Sequence, residues 1–314
     1  MSVTKAAVIT AKGQVEIREM PLPDPGPGEV QVQMAANGIC MFEVSVYTGV
    51  EPIYPCNAGH EGIGRVVKVG PGVKNLREGD WVPAGRWTQL ENLPADGRPA
   101  FSSAPKDPAL WLWEPVDCVV RALYEYDISP GDRVLLIGAG FMGLLNVQGL
   151  GRYPLAELVV ADLDAAKLEL AARFGATETI RAGTEEGNAR LEELKGKKFD
   201  LVIEASGSEE ALRMCGDLVR NGGRLALFGW QHGMRSVNMT RWHIGGLKVL
   251  NTAPAIATDR NINTMERAVR LIERGVFDLA PLVTHRHSWK DVASALDEAA
   301  RRPAGYIKGV LEFD

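Results

Sequence analysis

Between Val134 and Gly151 the chain runs for 18 residues without a charged side chain. A stretch of that length either crosses a bilayer or lies buried in a folded core. Its interior decides between the two, because five glycines, Asn146 and Gln148 interrupt it. The continuous apolar part, Val134–Ile137, has the length of a strand covered on both faces by helices. Gly138-x-Gly140-x-x-Gly143 follows, then a helical stretch and a second apolar run, Leu158–Ala161, which ends at Asp162. In this setting the first glycine permits a tight turn and the second lets the backbone approach a pyrophosphate. The third lets helix and strand pack closely, with the helix N-terminus facing the phosphates. Asp162 stands 24 residues after Gly138. A carboxylate there accepts hydrogen bonds from the adenosine ribose hydroxyls and repels a 2′-phosphate. Its neighbours Ala161 and Leu163 bring no arginine to hold such a phosphate. The segment therefore predicts an NAD site formed by Gly138, Gly140, Phe141, Met142, Gly143 and Asp162, and the membrane-span alternative falls away.

The pattern continues as alternating strands and helices. Helix Ala165–Phe174 stops at Gly175, Phe199–Ala205 precedes a helix after Ser208, and Arg224–Phe228 follows Gly222-Gly223. Such alternation predicts an α/β fold with a doubly wound parallel sheet. The first 80 residues read differently, as short strands and turns: Ala6–Thr10 with Val15–Glu19, Glu29–Ala35 and Gly62–Val69. Ala84–Pro108 is polar, rich in Pro and Gly, and reads as a long surface loop. A helix over Asn263–Arg274, another helix and a strand at Gly309–Phe313 end the chain. With 314 residues, 46% of them hydrophobic, the chain can fill two cores, which excludes disordered and fibrous classes. A net charge of −5 without clustered Lys or Arg excludes a general nucleic-acid surface. Met1–Lys5 lacks the apolar stretch of a secretory signal, and the four cysteines are scattered without a C-x-x-C pair. Both point to a reducing cytoplasm.

Glycine-flanked motifs carry the remaining signal: Gly38-Ile39-Cys40, Gly59-His60-Glu61-Gly62, Val69-Gly70-Pro71-Gly72, Gly79-Asp80-Trp81-Val82 and Glu114-Pro115. Together with the dinucleotide motif, they resemble the zinc-dependent medium-chain dehydrogenase/reductase family over nearly the whole chain. Glu114 in EPVDCVVRAL is similar to the polyol (sorbitol-type) and threonine dehydrogenase branch. The resemblance implies a GroES-like β-rich catalytic domain from residues 1–117 and 257–314, and a Rossmann domain over 118–256. It places ligand in the cleft between them. It also implies one catalytic zinc, with Cys40, His60 and Glu61 or Glu114 as candidate ligands, the two glutamates alternating between direct and supporting roles. Thiolate, imidazole and carboxylate are the zinc ligand types, and three of them leave a position open for substrate. Zinc lowers the pKa of bound water from about 15.7 to about 7, and an alcohol behaving similarly loses its proton at neutral pH. The implied activity is oxidation of a secondary alcohol of a polyol, sugar or similar polar substrate to the ketone, with NAD taking the hydride. A homo-oligomer, dimer or tetramer, is the implied assembly.

Three departures accompany the resemblance. After the cysteine the family runs Gly, Ser/Thr, Asp, x, His, whereas this chain has Met41, Phe42, Glu43, Val44 and Ser45. Phe42 thus replaces the hydroxyl that starts the proton relay. Ser45 stands where the relay histidine would be and passes a proton only through water. Glu43 keeps the carboxylate, and Lys308 in YIKGVLEF matches the family's C-terminal basic residue. A Glu43–Lys308 pair beneath the zinc is expected, with Lys308 also near the cofactor pyrophosphate. The four-cysteine structural zinc lobe is missing, so at most one zinc per chain is expected, and the shortened loop leaves the pocket more open. Two rivals follow from the same residues. One is a zinc-free reductase of quinones or enones, against which Cys40 and Asp162 argue. The other is a catalytically inactive dinucleotide-binding protein, which Phe42 favours.

Overall fold

The computed structural model describes residues 2–252 and 263–314; the domain boundary expected at 256/257 lies outside them. The chain divides into two compact units, one made of Met1–Asp117 joined by Asn263–Asp314, the other beginning at Cys118. The first opens with β1 (Ser2–Ala11), β2 (Gln14–Leu22), β3 (Glu29–Gly38) and α1 (Met41–Thr48). Then come β4 (Cys56–Asn57), β5 (Gly62–Val69), β6 (Trp81–Ala84), β7 (Leu90–Pro94) and α2 (Trp113–Glu125), whose residues from Cys118 on belong to the second unit. The second unit holds β8 (Arg133–Ile137), α3 (Phe141–Leu150), β9 (Glu157–Asp162), α4 (Ala165–Arg173), β10 (Glu178–Arg181) and α5 (Glu185–Lys197). It continues through β11 (Phe199–Glu204), α6 (Glu209–Leu218), β12 (Val219–Leu227), α7 (Met239–Ile244) and β13 (Lys248–Asn251). Back in the first unit lie α8 (Thr264–Glu273), β14 (Val283–Ser288), α9 (Val292–Arg301) and β15 (Lys308–Glu312).

In the second unit six parallel strands run in the order β10-β9-β8-β11-β12-β13. Strand β8 is apolar from Val134 to Ile137 because β9 and β11 flank it and helices cover its faces; Val134, Leu135 and Leu136 are fully buried. The uncharged segment is therefore β8, a glycine turn and α3, whose residues are nearly all buried. No helix among the described residues is long and apolar enough to cross a membrane. Local chemistry sets the helix ends. Asp164 accepts from Ala166 N at 3.0 Å to start α4, Ser208 accepts from Ala211 N at 3.1 Å to start α6, and Gly175 turns away after α4 with φ +113°. The parallel order with its reversal between β8 and β11 is the arrangement that leaves a crevice at the strand ends for a ligand.

The first unit is mainly antiparallel. One sheet has the order β2-β1-β4; the other runs β14-β15-β3-β5-β6, with β7 also paired to β3. That last pairing corrects the surface-loop expectation for Ala84–Pro108. Leu90–Pro94 forms β7 on β3, and Trp87, Ala95 and Phe101 are buried. The strand escapes pattern reading because LENLP lacks a clean alternation of apolar and polar residues, and its register is set by β3.

Candidate functional site

Cys40 caps α1. Its backbone is extended (φ −82°, ψ 153°), and its Sγ accepts from Phe42 N at 3.5 Å, which puts sulfur at the positive end of a helix. The loop carrying His60 is held against this end by two residues. Trp87, fully buried, donates from Nε1 to Gly38 O at 3.2 Å, and its backbone N donates to Ala58 O at 2.8 Å. Gly59 takes φ +98°, and a Cβ there would lie 2.5 Å from Trp87 Cδ1 and N, so only glycine fits. Asn37, also buried, donates to Gly85 O at 2.5 Å and Arg86 O at 3.2 Å and accepts from Glu61 N at 3.2 Å. The result is a compact donor set. Cys40, Glu43 and His60 have ligand-type atoms within 4.8 Å of one another, and so do His60, Glu61 and Glu114. Glu114 enters from the first turn of α2.

His60 is shared by both groups, and its surroundings define its role. Glu43 Oε1 lies 2.8 Å from His60 Nδ1 and accepts from Gly59 N at 3.0 Å; Glu43 Oε2 is buried and has no hydrogen-bond partner among the described residues. A carboxylate on Nδ1 fixes the imidazole's orientation and leaves Nε2 as the ligating nitrogen. Burial opposes charge on His60, yet hydrogen bonds to Cys40 and Glu43 outweigh it and push its pKa up to about 12. Burial, the largest influence on Cys40, pushes the thiol up, and Glu61 and Glu43 add to that. A half-buried set of sulfur, nitrogen and oxygen donors crowded in this way fits a divalent metal of zinc type.

The pairing beneath the cluster differs from the one expected. Lys308 pairs with Glu61, Nζ to Oε2 at 2.5 Å, and donates to Ile39 O at 3.0 Å. Glu43 turns instead to Gly59 and His60. The reason is topological. β15 pairs antiparallel with β3, so Lys308 enters beside the Gly38-Ile39 end, while Glu43 projects from α1 toward the Gly59-His60 loop. Lys308 is only 4% exposed, and its ammonium serves a carboxylate of the cluster within its own unit. Ser45 does not join the cluster; its Oγ donates to Phe42 O at 2.8 Å. Asn37 is a positioning residue that sequence reading missed. The available signal was an inward polar residue at the end of β3.

In the second unit the glycine motif has the geometry its spacing predicts. Gly138 adopts φ +106°, and a Cβ there would press on Ser206 N and Ala205 C at 2.7–2.8 Å. A Cβ on Gly143 would overlap Gly138 O, whereas one on Gly140 would meet nothing within 4 Å. The second glycine therefore faces open space, as a backbone approached by a pyrophosphate must, and the third is needed for packing. Gly140 caps α3, and Phe141 and Met142 form its first turn. Asp162 closes β9; its Oδ2 accepts from Ala139 N at 2.5 Å and its Oδ1 from Asp164 N at 2.9 Å. These residues fit a dinucleotide.

Comparison with known proteins agrees. A model described as an alcohol dehydrogenase GroES-like domain matches residues 26–99, and one described as a zinc-binding dehydrogenase matches residues 142–274. A zinc-type alcohol dehydrogenase-like protein of Escherichia coli (strain K12) is 26% identical over 347 residues, covering 98% of each chain. L-threonine 3-dehydrogenase of Shigella sonnei (strain Ss046) is 26% identical over 344 residues, again with 98% of each chain covered. A solved alcohol dehydrogenase of E. coli CFT073, described as short-chain and complexed with NADH, superposes with a TM-score of 0.86 at 25% identity and covers 100% of both chains. With a β-rich unit holding a mixed sulfur, nitrogen and oxygen cluster, and a parallel nucleotide-type sheet after it, the chain belongs to the zinc-dependent medium-chain dehydrogenase family.

Proposed function

We propose that this chain is an NAD-dependent dehydrogenase that oxidises a secondary alcohol of a polyol, sugar or similar polar substrate to the ketone. The observation that carries the reading is the crowding of two donor groups, Cys40 with Glu43 and Glu61 with Glu114, around the one imidazole of His60. Cys40, His60 and Glu114 would hold the catalytic zinc, since Glu61 is already matched by Lys308. When bound, zinc supplies Lewis acidity toward the alcohol oxygen and NAD supplies the hydride acceptor. The chain's own residues do the rest. Glu43 orients His60 through Nδ1, and Lys308 holds Glu61 in place beneath the cluster. Phe42 offers no hydroxyl, and Ser45 directs its own to the Phe42 carbonyl. Asp162 selects NAD by accepting ribose hydroxyls at the end of β9. The polar substrate class is supported by similarity to L-threonine 3-dehydrogenase, whose named position carries a secondary hydroxyl. The domain division, a cytoplasmic location and a homo-oligomeric dimer or tetramer belong to the same proposal.

The test is a panel of polyols, sugars and hydroxy amino acids with NAD⁺ and NADP⁺, and of quinones and enones with NADH and NADPH, on metal-analysed protein, wild type beside Cys40→Ser. NAD⁺ reduction that disappears in Cys40→Ser together with one zinc per chain supports the reading. NADPH-dependent enone reduction indifferent to Cys40→Ser overturns it in favour of the zinc-free reductase. NAD binding without turnover across the panel overturns it in favour of an inactive binding protein.

A further inference from the structure

Glu204, the last residue of β11, is fully buried, and no lysine, arginine or histidine pairs with it among the described residues. Donors from two loops satisfy it instead. Its Oε1 accepts from Ser206 N at 2.7 Å, Ser206 Oγ at 2.6 Å and Gly207 N at 2.9 Å, all in the loop after β11. Its Oε2 accepts from Gln231 Nε2 in the loop after β12. Arg235 holds Gln231 in turn, its Nε donating to Gln231 Oε1 at 3.3 Å and its Nη2 to Gly207 O at 3.2 Å. The backbones close on one another as well. A Cβ on Gly207 would lie 2.7 Å from Trp230 O, and one on Gly229 would lie 2.5 Å from Gly207 N and 2.7 Å from Glu204 Oε2. A buried carboxylate is costly unless its lone pairs are filled, and here the two loops fill them.

These loops lie on the side of the sheet that the second half of a dinucleotide would use. In a doubly wound sheet the ligand crosses the crevice where the strand order reverses, with one mononucleotide over each half. Here the reversal separates β10-β9-β8 from β11-β12-β13. Asp162 ends β9, in the first half, and takes the adenosine ribose in the reading above. The pyrophosphate then falls at Gly138 and Gly140, and the nicotinamide mononucleotide runs over the ends of β11 and β12. Ser206 already touches the phosphate turn, since a Cβ on Gly138 would lie 2.7 Å from its N.

We propose that Glu204 and Gln231 are positioning residues for the nicotinamide half of NAD. The Glu204 carboxylate pins segment 229–231 against segment 206–207, so that the backbone of both is set before the cofactor arrives. The proposal rests on the dinucleotide reading of this unit. A loop fixed in advance loses less freedom on binding than one that must settle around its ligand, and that difference appears as affinity.

The test measures NADH and ADP affinity by calorimetry on full-length protein, comparing wild type, Gln231→Leu, Glu204→Gln and the reciprocal double variant Glu204→Gln/Gln231→Glu. ADP carries the adenosine and both phosphates without the nicotinamide half, so it reports the side of Gly138 and Asp162 alone. Gln231 is half-buried, and Gln231→Leu should lose at least about fivefold in NADH affinity, the effect of a buried acceptor losing its donor, while ADP affinity holds. Glu204→Gln should do the same, because its amide oxygen can still serve the loop after β11 while its NH₂ turns a donor toward Gln231. The double variant restores a donor–acceptor pair in the opposite sense and should regain most of the NADH affinity. A merely structural role for either residue would produce neither the NADH–ADP split nor the rescue. Should Glu204→Gln not fold by circular dichroism, Gln231→Leu decides the question by itself. NADH affinity that is unchanged in Gln231→Leu, lost in parallel with ADP affinity, or not regained in a folded double variant overturns the proposal and leaves the dinucleotide site standing. Wild type that binds neither NADH nor ADP removes the dinucleotide reading and the proposal with it.

Discussion

Lys308 Nζ lies 2.5 Å from Glu61 Oε2, with both side chains at 5% exposure or less. Gly38 makes room for them, since a Cβ there would overlap the Glu61 carboxylate. A pair this deep is costly to break from one side, because the remaining charge is left buried and unmatched. Lys308→Met should therefore destabilise the fold by about 3–5 kcal/mol in urea unfolding, and adding Glu61→Gln should restore part of that. If Lys308→Met is no worse alone than in the double variant, the pairing does not carry this energy.

Glu43 predicts a separate phenotype. It touches His60 Nδ1 and not Lys308, so its loss should weaken metal binding while sparing the pair below. Glu43→Gln should lower zinc affinity about 10- to 100-fold in chelator competition, the range for removing a carboxylate behind a ligating histidine.

The glycine turn separates packing from binding. Gly140 faces open space and Gly143 faces Gly138 O. Gly140→Ala should leave unfolding free energy within about 1 kcal/mol of wild type while weakening NADH binding measured by fluorescence. Gly143→Ala should lower both, because α3 must move off β8. Equal stability losses in the two variants would contradict this division.

Asp162 ends β9 with its carboxylate fixed by Ala139 N and Asp164 N. Replacing it with serine keeps a hydrogen-bonding group but removes the charge that repels a 2′-phosphate. The ratio of NADH to NADPH affinity should fall by about tenfold or more, equivalent to about 1.4 kcal/mol. Unchanged selectivity would move the determinant elsewhere.

The features that reading along the chain recovered are those set by near neighbours. Val134–Ile137, the three glycines and Asp162 are separated by short distances in sequence, and each has a local conformational reason, so their geometry followed from spacing. Cys40 and His60 were found through their glycine flanks, and Gly59 does need its φ of +98° against Trp87. What spacing could not supply was the choice of partner among buried charges. Glu43 and Glu61 are both acidic and both near Cys40, and only the β3–β15 pairing brings Lys308 to one of them. Strand β7 was missed for a similar reason, since its pairing with β3 rather than its own residues makes it a strand.

Acid stability tests the second unit through Asp200. Burial works against its charge, but Arg133 N donates to its Oδ2 at 2.9 Å and Arg220 Nε to its Oδ1 at 2.6 Å. Together with the nearby arginines they hold the carboxyl below its ordinary 3.8. The folded form therefore binds this proton less readily than the unfolded chain. The stabilisation is present above the unfolded pKa and is lost as pH falls through that value toward the folded one. Asp200→Asn should be less stable than wild type at pH 7, and the gap should narrow between about pH 5 and pH 3 as the wild-type carboxylate protonates. A gap that stays constant across that window in urea unfolding would show that Asp200 contributes through its shape and neutral hydrogen bonds rather than through its charge.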